Sequence, residues 1–548
     1  DSPTNGSQSD TGVGGEVRGN YCTWNPLARR QAYTPGVVYS NGNLDLSLAV
    51  GSSDTGNFVL GTIGVSSGKW YFEVTRTNAT DNLSVGFATA NLLTENYSTT
   101  YWYSSNGTKF NNGSSSSYGS TTTSGDIIGI AVNLDTGSIE FFKNGTSMGV
   151  AFSSITLGNV YFPLGAGPNG TGTPTMAANF GQRAFAYTAP SGFKALCTQN
   201  LPAPLVTKSN TVFDVKLWTG DGSSTRAITG LEFNPDFVWI KNRNQAGIYH
   251  NLFDKVRDSG KTLFSNTTDS EVTNSAYGYL SSFDSNGFSL SAGGSGSDNV
   301  NVNTWTYAGW CWDAGTSTVS NTQGSITSQV RANATAGFSV VTWTAGTGVY
   351  SVGHGLGVKP AMIIHKCRSN AEGWLVRHVS IGDSGWLVLN STAAASTLAY
   401  GGTNTSTVFY NQDGVTTSSG LTMVAYCFAP VVGYSSFGSY TGNGSTDGPF
   451  VYTGFRPRWI MIKGTTNTYR WMIIDTTRST YNQVDNALAA NYSDAESTSS
   501  GNFGTDILSN GFKPRTSGSY TSNSNNGSGD TFVYAAFAEA PFNYSRAR

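Results

Sequence analysis

The residue types that chemistry uses fall in five places along this chain. Gly64-Val-Ser-Ser-Gly68 fits G-x-S-x-G, the strained turn that presents a nucleophilic serine between a strand and a helix. Here a strand-like run, Lys69-Trp-Tyr-Phe-Glu-Val74, follows instead, so the serine reads as part of a loop. Gly165-Ala-Gly-Pro-Asn-Gly170 fits the dinucleotide fingerprint G-x-G-x-x-G, which needs a helix N-terminus under the pyrophosphate. Gly172, Pro174 and another strand follow, so a glycine-rich turn is expected. Of the four histidines, His250 stands apart in sequence and His354, His365 and His378 fall within one stretch, where a metal or acid–base cluster is the functional reading. Asp254, Asp258, Asp269 and Glu271 are the carboxylates best grouped for glycan cleavage by a paired acid and base. Solvated loop carboxylates and structural histidines account for the same residues.

The fifth place is aromatic. Tyr97, Tyr101, Trp102, Tyr103, Asn106 and Tyr118 flank a Ser/Gly/Thr-rich stretch ending near Ser124. Ring faces beside Asn and Ser donors suit sugars, which stack one apolar face and hydrogen-bond through their hydroxyls. These six residues are the candidate ligand-binding set. Strand alternation offers a competing place for Trp102 and one tyrosine, inside a core. No catalytic residue, metal ligand or cofactor is assigned.

Composition bounds what can position such residues. The chain has 548 residues, too many for one core. Charged residues make up 12%, against ~25% in ordinary globular chains. Aromatic residues reach 13%, and there are 67 glycines. Folded β structure is expected, not disorder, which is poor in aromatics and rich in net charge. A net charge of −2 without a Lys/Arg block speaks against nucleic acid as the main partner. No apolar run approaches the ~18 residues of a membrane span. Five scattered cysteines make neither a disulfide framework nor a zinc site. Asn78, Asn106, Asn144 and Asn266 open glycosylation sequons, which an Asn/Ser/Thr-rich chain also generates by chance. Lacking a starting Met and a signal peptide, the sequence reads as a processed or partial piece.

Gly125 to Gly145, GDIIGIAVNLDTGSIEFFKNG, is the strongest hairpin signal. Two apolar runs flank Asn133-Leu-Asp-Thr-Gly137, whose Asn, Asp and Gly accept turn dihedrals. Leu44, Leu46 and Leu48 alternate with polar residues as in a half-buried strand. The ordered blocks GKWYFEV, SVGFA, YSSNGTKFNN, the hairpin, YFPLGAG and AANFG resemble the SPRY family over Tyr21 to Leu196. The resemblance implies a twisted two-sheet β-sandwich that binds partners through loops at one end and is not generally an enzyme.

Past Leu201-Pro-Ala-Pro204 the chain repeats itself. Phe213 to Trp218 matches Phe338 to Trp343 and the Phe437 to Tyr440 stretch. Gly230-Leu-Glu-Phe-Asn-Pro235 with Phe237 to Lys241 matches Gly355 to Lys366 and Gly454 to Lys463. Each copy closes alike, at Trp312, Phe428 and Phe537. Cys311 and Cys427 fall on matching positions where the third copy has Ala536, as small core residues do. A period this long predicts small domains in an array. Asn486-Ala-Leu-Ala-Ala-Asn is the best short-helix candidate.

The expected fold is therefore mostly β. It comprises an attachment arm (1–20), a SPRY-like β-sandwich (21–200) and three related β-rich, possibly α+β, repeat domains (206–318, 335–431 and 434–543). The opening Asp1-Ser-Pro-Thr, Asn20-Tyr-Cys-Thr-Trp-Asn-Pro26, the SPRY blocks and the repeats together resemble tail-fibre and related appendage proteins of bacteriophages, notably those of cyanobacteria. The resemblance implies an extracellular virion component that contacts a bacterial surface receptor, a glycan by preference, alongside other virion proteins and as a homotrimer. No nucleic-acid or membrane partner is expected. A capsid or connector decoration protein and a polysaccharide-degrading tailspike are the alternatives.

Overall fold

A computed structural model describes residues 19–30, 36–48, 56–94, 96–167, 172–294, 296–397, 401–498, 503–517 and 525–539. The expected arm lies outside them apart from its last two residues, as does the end of the Gly165–Gly170 motif. The chain divides into two compact units, one within residues 1–203 and one within 204–541.

The first unit is a β-sandwich, as the mostly-β reading requires. One sheet runs Trp24–Arg30, Asn57–Gly61, Phe162–Gly167, Ser84–Ala88, Thr100–Ser104, Thr108–Asn111, Ser114–Ser117. The other runs Thr146–Phe152, Ser138–Lys143, Ile127–Asn133, Lys69–Arg76, Thr175–Asn179, Asp45–Leu48, Val37–Ser40. Lys194–Ala195 adds in parallel to Lys69–Arg76. The hairpin pairs from Ile128↔Lys143 to Asn133↔Ser138. Its turn closes because Asn133 Oδ1 accepts the Asp135 and Thr136 amides at 3.0 and 3.2 Å, and Gly137 takes φ +76°. Ile128, Ile130, Val132, Ile139 and Phe141 are fully buried between the sheets with Phe72, Phe87 and Phe180. Leu46 and Leu48 enter the same core, as their alternation requires.

The second unit contains the three copies, but they are not an array of separate domains. Each supplies one large antiparallel sheet with the run that closes the copy as an interior strand: Thr306–Trp312, Thr422–Phe428 and Thr531–Ala538. Those strands pair with Phe237–Asn242, Met362–Cys367 and Pro457–Gly464. Residues 237–240, 362–364 and 459–462 of these strands are continuously apolar because both faces are covered. Phe237 and Trp239 point into one core, Val238 and Ile240 into another. The inward core is common to all three copies. At its centre the closing residues meet: Trp312 to Phe428 at 6.2 Å between ring centroids, Phe428 to Phe537 at 5.9 Å and Trp312 to Phe537 at 5.8 Å. The outward faces carry a small sheet per copy, such as Val349–Gly353 with Val408–Gln412.

Register refines the alignment of the copies. Phe213 and Phe338 stand opposite Trp312 and Phe428, and Ser435, not Phe437, stands opposite Phe537. Ala487–Ala489 is a strand paired with Met472–Asp475, not a short helix. Intrinsic Ala and Leu propensity is worth tenths of a kcal/mol per residue, and burial of Leu488 in the common core overrides it.

The copies close on one another in a cycle. Trp374 of copy 2 donates from Nε1 to the Phe264 carbonyl of copy 1 at 2.8 Å. Trp471 of copy 3 donates to Val388 of copy 2 at 2.9 Å. His250 of copy 1 occupies the same place, its Nε2 3.0 Å from the Ala489 carbonyl of copy 3. Equivalent backbone bonds join Glu271 to Arg368, Ala395 to Thr465 and Glu496 to Arg243. Lys241, Lys366 and Lys463 are equivalent and fully buried. Lys366 donates to Thr268 O of copy 1, and Lys463 to Thr392 O and Ala393 O of copy 2.

Candidate functional site

The aromatic set on the sandwich is split by burial. Tyr101, Trp102 and Tyr103 lie on Thr100–Ser104, a strand buried on both faces. Tyr101 packs on Phe152 and Tyr161, and Tyr103 on Phe141. Trp102, 4% exposed, stacks on Phe110 with 4.0 Å between centroids and 4° between planes. These three rings are not free to take a sugar, which corrects the expectation from sequence. Alternation sent both sides of the strand into apolar contact because Phe58, Tyr97 and Phe110 cover the face away from the core. Tyr97 is half-buried in that cover. Asn106 is exposed but shapes its own turn, accepting the Thr108 amide at 3.2 Å and hydroxyl at 2.8 Å. Trp102→Ala is accordingly expected to cost ~3 kcal/mol of stability, read as a lower denaturant midpoint at unchanged slope.

Tyr118 is different. It borders a recess of about 510 Å³ with Gly119, Ser120, Lys143, Asn144, Thr146, Ser147 and Met148. The reversal after the main hairpin, Asn144-Gly145, thus builds the floor of the site. The Asn144-Gly145 turn was the available signal. Tyr118, Asn144 and Lys143 are held in place by hydrogen bonds. The Tyr118 hydroxyl donates to the Gly149 carbonyl and accepts the Phe141 amide at 3.3 Å. Burial pushes its phenol up to about 12, so it stays neutral. Lys109 Nζ lies 5.6 Å from the Tyr118 ring centroid. Asn144 Oδ1 accepts the Ile127 amide at 2.8 Å and its Nδ2 donates to Asp126 Oδ1 at 2.7 Å. Lys143 donates to Thr121 O at 2.8 Å and pairs with Asp126 at 3.3 Å. The recess offers hydroxyls, amides, a ring edge and a thioether at fixed positions, with its ammonium already neutralised. That chemistry suits a neutral, hydroxyl-rich ligand.

Most of the remaining candidates have structural employment, while His365 is buried with neither ring nitrogen hydrogen-bonded. His250 accepts from Trp239 Nε1 at 2.9 Å on Nδ1, so its Nε2 carries the proton given to Ala489 O. His378 lies 3.1 Å from the Tyr534 carbonyl and His354 3.3 Å from the Thr405 carbonyl. Among the described residues no group of His, Cys, Asp or Glu is arranged to hold a metal. Asp254 and Glu271 are both bound by Arg257, and Asp258 and Asp269 are exposed loop residues. Ser66 stands in a loop leading into Lys69–Arg76. All five cysteines are buried and none is in a disulfide; burial pushes the Cys427 thiol up to about 12.

Buried charge sets a pH dependence on the second unit. Burial, with Arg377 adding, lowers His365 to about 3; burial lowers His378 to about 4 against the Tyr534 carbonyl. Burial opposes ionisation of Glu271, but Arg368 and Arg257 outweigh it and hold it below its usual range. Each group binds a proton more weakly folded than unfolded. Their stabilisation is in place above pH ~6.5 for the histidines and is lost as pH falls through the folded values. Asp236 runs the other way, raised to about 6 by burial despite Arg331 and Lys255. Thermal unfolding midpoints are expected to fall from pH 6.5 toward 4. His365→Ile, the residue found at the equivalent positions 240 and 462, is expected to flatten that slope.

The fold and these contacts define a SPRY sandwich followed by a threefold β unit. The SPRY family model matches residues 69–178, and a second, described as a domain of unknown function (DUF7483), matches 208–541. The chain belongs to this DUF7483 family. Curated relatives match over short stretches. Ran-binding protein 10 of Danio rerio is 40% identical over 75 residues, 14% of this chain and 12% of its own length. The ATP-dependent RNA helicase Ddx1 of Drosophila melanogaster is 32% identical over 141 residues, 25% of this chain and 19% of its own. The chain therefore spans less than a fifth of the length of either relative. Among solved structures, the SPRY domain of human HERC1 aligns at 20% identity over 28% of this chain and 96% of that one, with a TM-score of 0.25.

Proposed function

We propose that this protein is a structural component of a bacteriophage virion, a tail-fibre or spike-like appendage that recognises a glycan on the bacterial surface. The observation that carries the binding half of this reading is the recess beside Tyr118: preorganised, hydroxyl- and amide-lined, and built on a rigid sandwich. The sequence resemblance to phage appendage proteins supports the virion half. Binding, not catalysis, is the role inferred, because the grouped carboxylates Asp254 and Glu271 are spent on Arg257. Affinity per site would be weak, and copies arrayed on one particle, as in a homotrimeric fibre beside other virion proteins, would multiply it through effective concentration. Fluorescently labelled chain incubated with host cells tests this. Labelling abolished by periodate oxidation of surface sugars is expected. Labelling that survives periodate but not protease would replace the glycan with a protein receptor.

A further inference from the structure

The sandwich carries a second recess, of about 570 Å³, away from Tyr118 and lined by residues 67–70, Asp135, Gly192, Lys194 and 199–203. Its chemistry differs from the first. Two ammonium groups, Lys69 and Lys194, face it, and neither is in an ion pair among the described residues. Its one carboxylate, Asp135, accepts the Gly68 amide at 2.7 Å through Oδ1. Asn200, 6% exposed, spends its Nδ2 on the Ala195 carbonyl at 2.9 Å, while its buried Oδ1 has no donor. The buried Oε1 of Gln199 has none either. Gly192, at φ +82°, leaves the floor open; a β-carbon there would sit 3.9 Å from Lys69 Nζ.

We propose that this recess binds a carboxylate-bearing sugar. The Ser67 hydroxyl and the Gln199 side-chain amide line the recess and can exchange hydrogen bonds with sugar hydroxyls. Two unpaired ammonium groups call for an anion. A uronic acid brings both on one ring, and the volume holds one or two such rings. This site is independent of the neutral recess at Tyr118.

Titration of the full chain with digalacturonate, a neutral galactose disaccharide and a triglutamate peptide tests the proposal. Digalacturonate is expected to bind, to weaken as salt is raised, and to lose at least about tenfold in affinity in Lys194→Glu, an exposed change that leaves the fold intact. Lys69→Gln should lose affinity likewise, and Ser120→Trp at the other recess should have no effect. The proposal is overturned if digalacturonate does not bind, if Lys194→Glu leaves its affinity unchanged, or if triglutamate binds and digalacturonate does not.

Discussion

Trp312→Ala is expected to unfold all three copies of residues 204–541 together. Trp312 is 1% exposed and touches rings of every copy: Phe213 and Phe237 of its own, Phe338 and Phe428 of the second, Trp459 and Phe537 of the third. Truncation leaves a cavity that no single copy can collapse into, at the upper end of the ~3–5 kcal/mol seen for buried aromatic-to-alanine changes. A common core makes the loss cooperative. Hydrogen exchange should therefore rise in Thr422–Phe428 and Thr531–Ala538 as much as in Thr306–Trp312. Exchange rising in the first copy alone would mean that the copies fold separately.

The second large effect concerns the seams. At the seam of copies 1 and 2, buried Arg257 binds Asp254, reaches Glu271 at 3.2 Å, and Glu271 binds Arg368 at 2.8 Å. The seam of copies 3 and 1 repeats this with Arg478, Asp475 at 2.5 Å, Glu496 at 2.9 Å and Arg243 at 2.7 Å from Glu496. At the seam of copies 2 and 3 the same four places hold His378, Ile381, Ala395 and Thr465. One fold thus builds the seam both ionically and without charge. Removing one partner of a buried ion cluster costs far more than replacing the whole cluster, because the surviving charge stays desolvated. Arg257→Ala is expected to cost ~3–5 kcal/mol. The quadruple replacement Asp254→His, Arg257→Ile, Glu271→Ala, Arg368→Thr is expected to recover most of that. Equilibrium urea unfolding of the two variants checks both statements. Equal losses from single and quadruple changes would show that the charges themselves hold the seam.

Much of this organisation was readable in the sequence. The hairpin register follows from two apolar runs and an Asn-Asp-Gly turn, and the paired markers of each copy landed on equivalent strands. The closing aromatics Trp312, Phe428 and Phe537 were visible as a repeated ending, but their meeting was not. A repeat period reports similarity between copies, not whether their apolar faces turn toward a shared axis. The lysines at 241, 366 and 463 stood in the repeated motif, yet lysine type argues for the surface; carbonyls of the neighbouring copy receive Lys366 and Lys463, while Lys241 donates to Asn242 O of its own strand. Trp102 misled for a related reason. Alternation divides a strand into two faces and cannot show that Phe58, Tyr97 and Phe110 cover the second one. The Tyr118 recess needed residues 118–120 and 143–148 in contact, a juxtaposition that sheet topology makes and linear spacing does not.

The most direct test of the proposed role is titration of the full chain with polysaccharide purified from the host surface, comparing the wild type with Ser120→Trp, which fills the Tyr118 recess from an exposed position. Saturable binding by the wild type, lost in the filled variant at unchanged melting temperature, is the expected result. Equal binding by both proteins would contradict the account by placing recognition elsewhere on the chain.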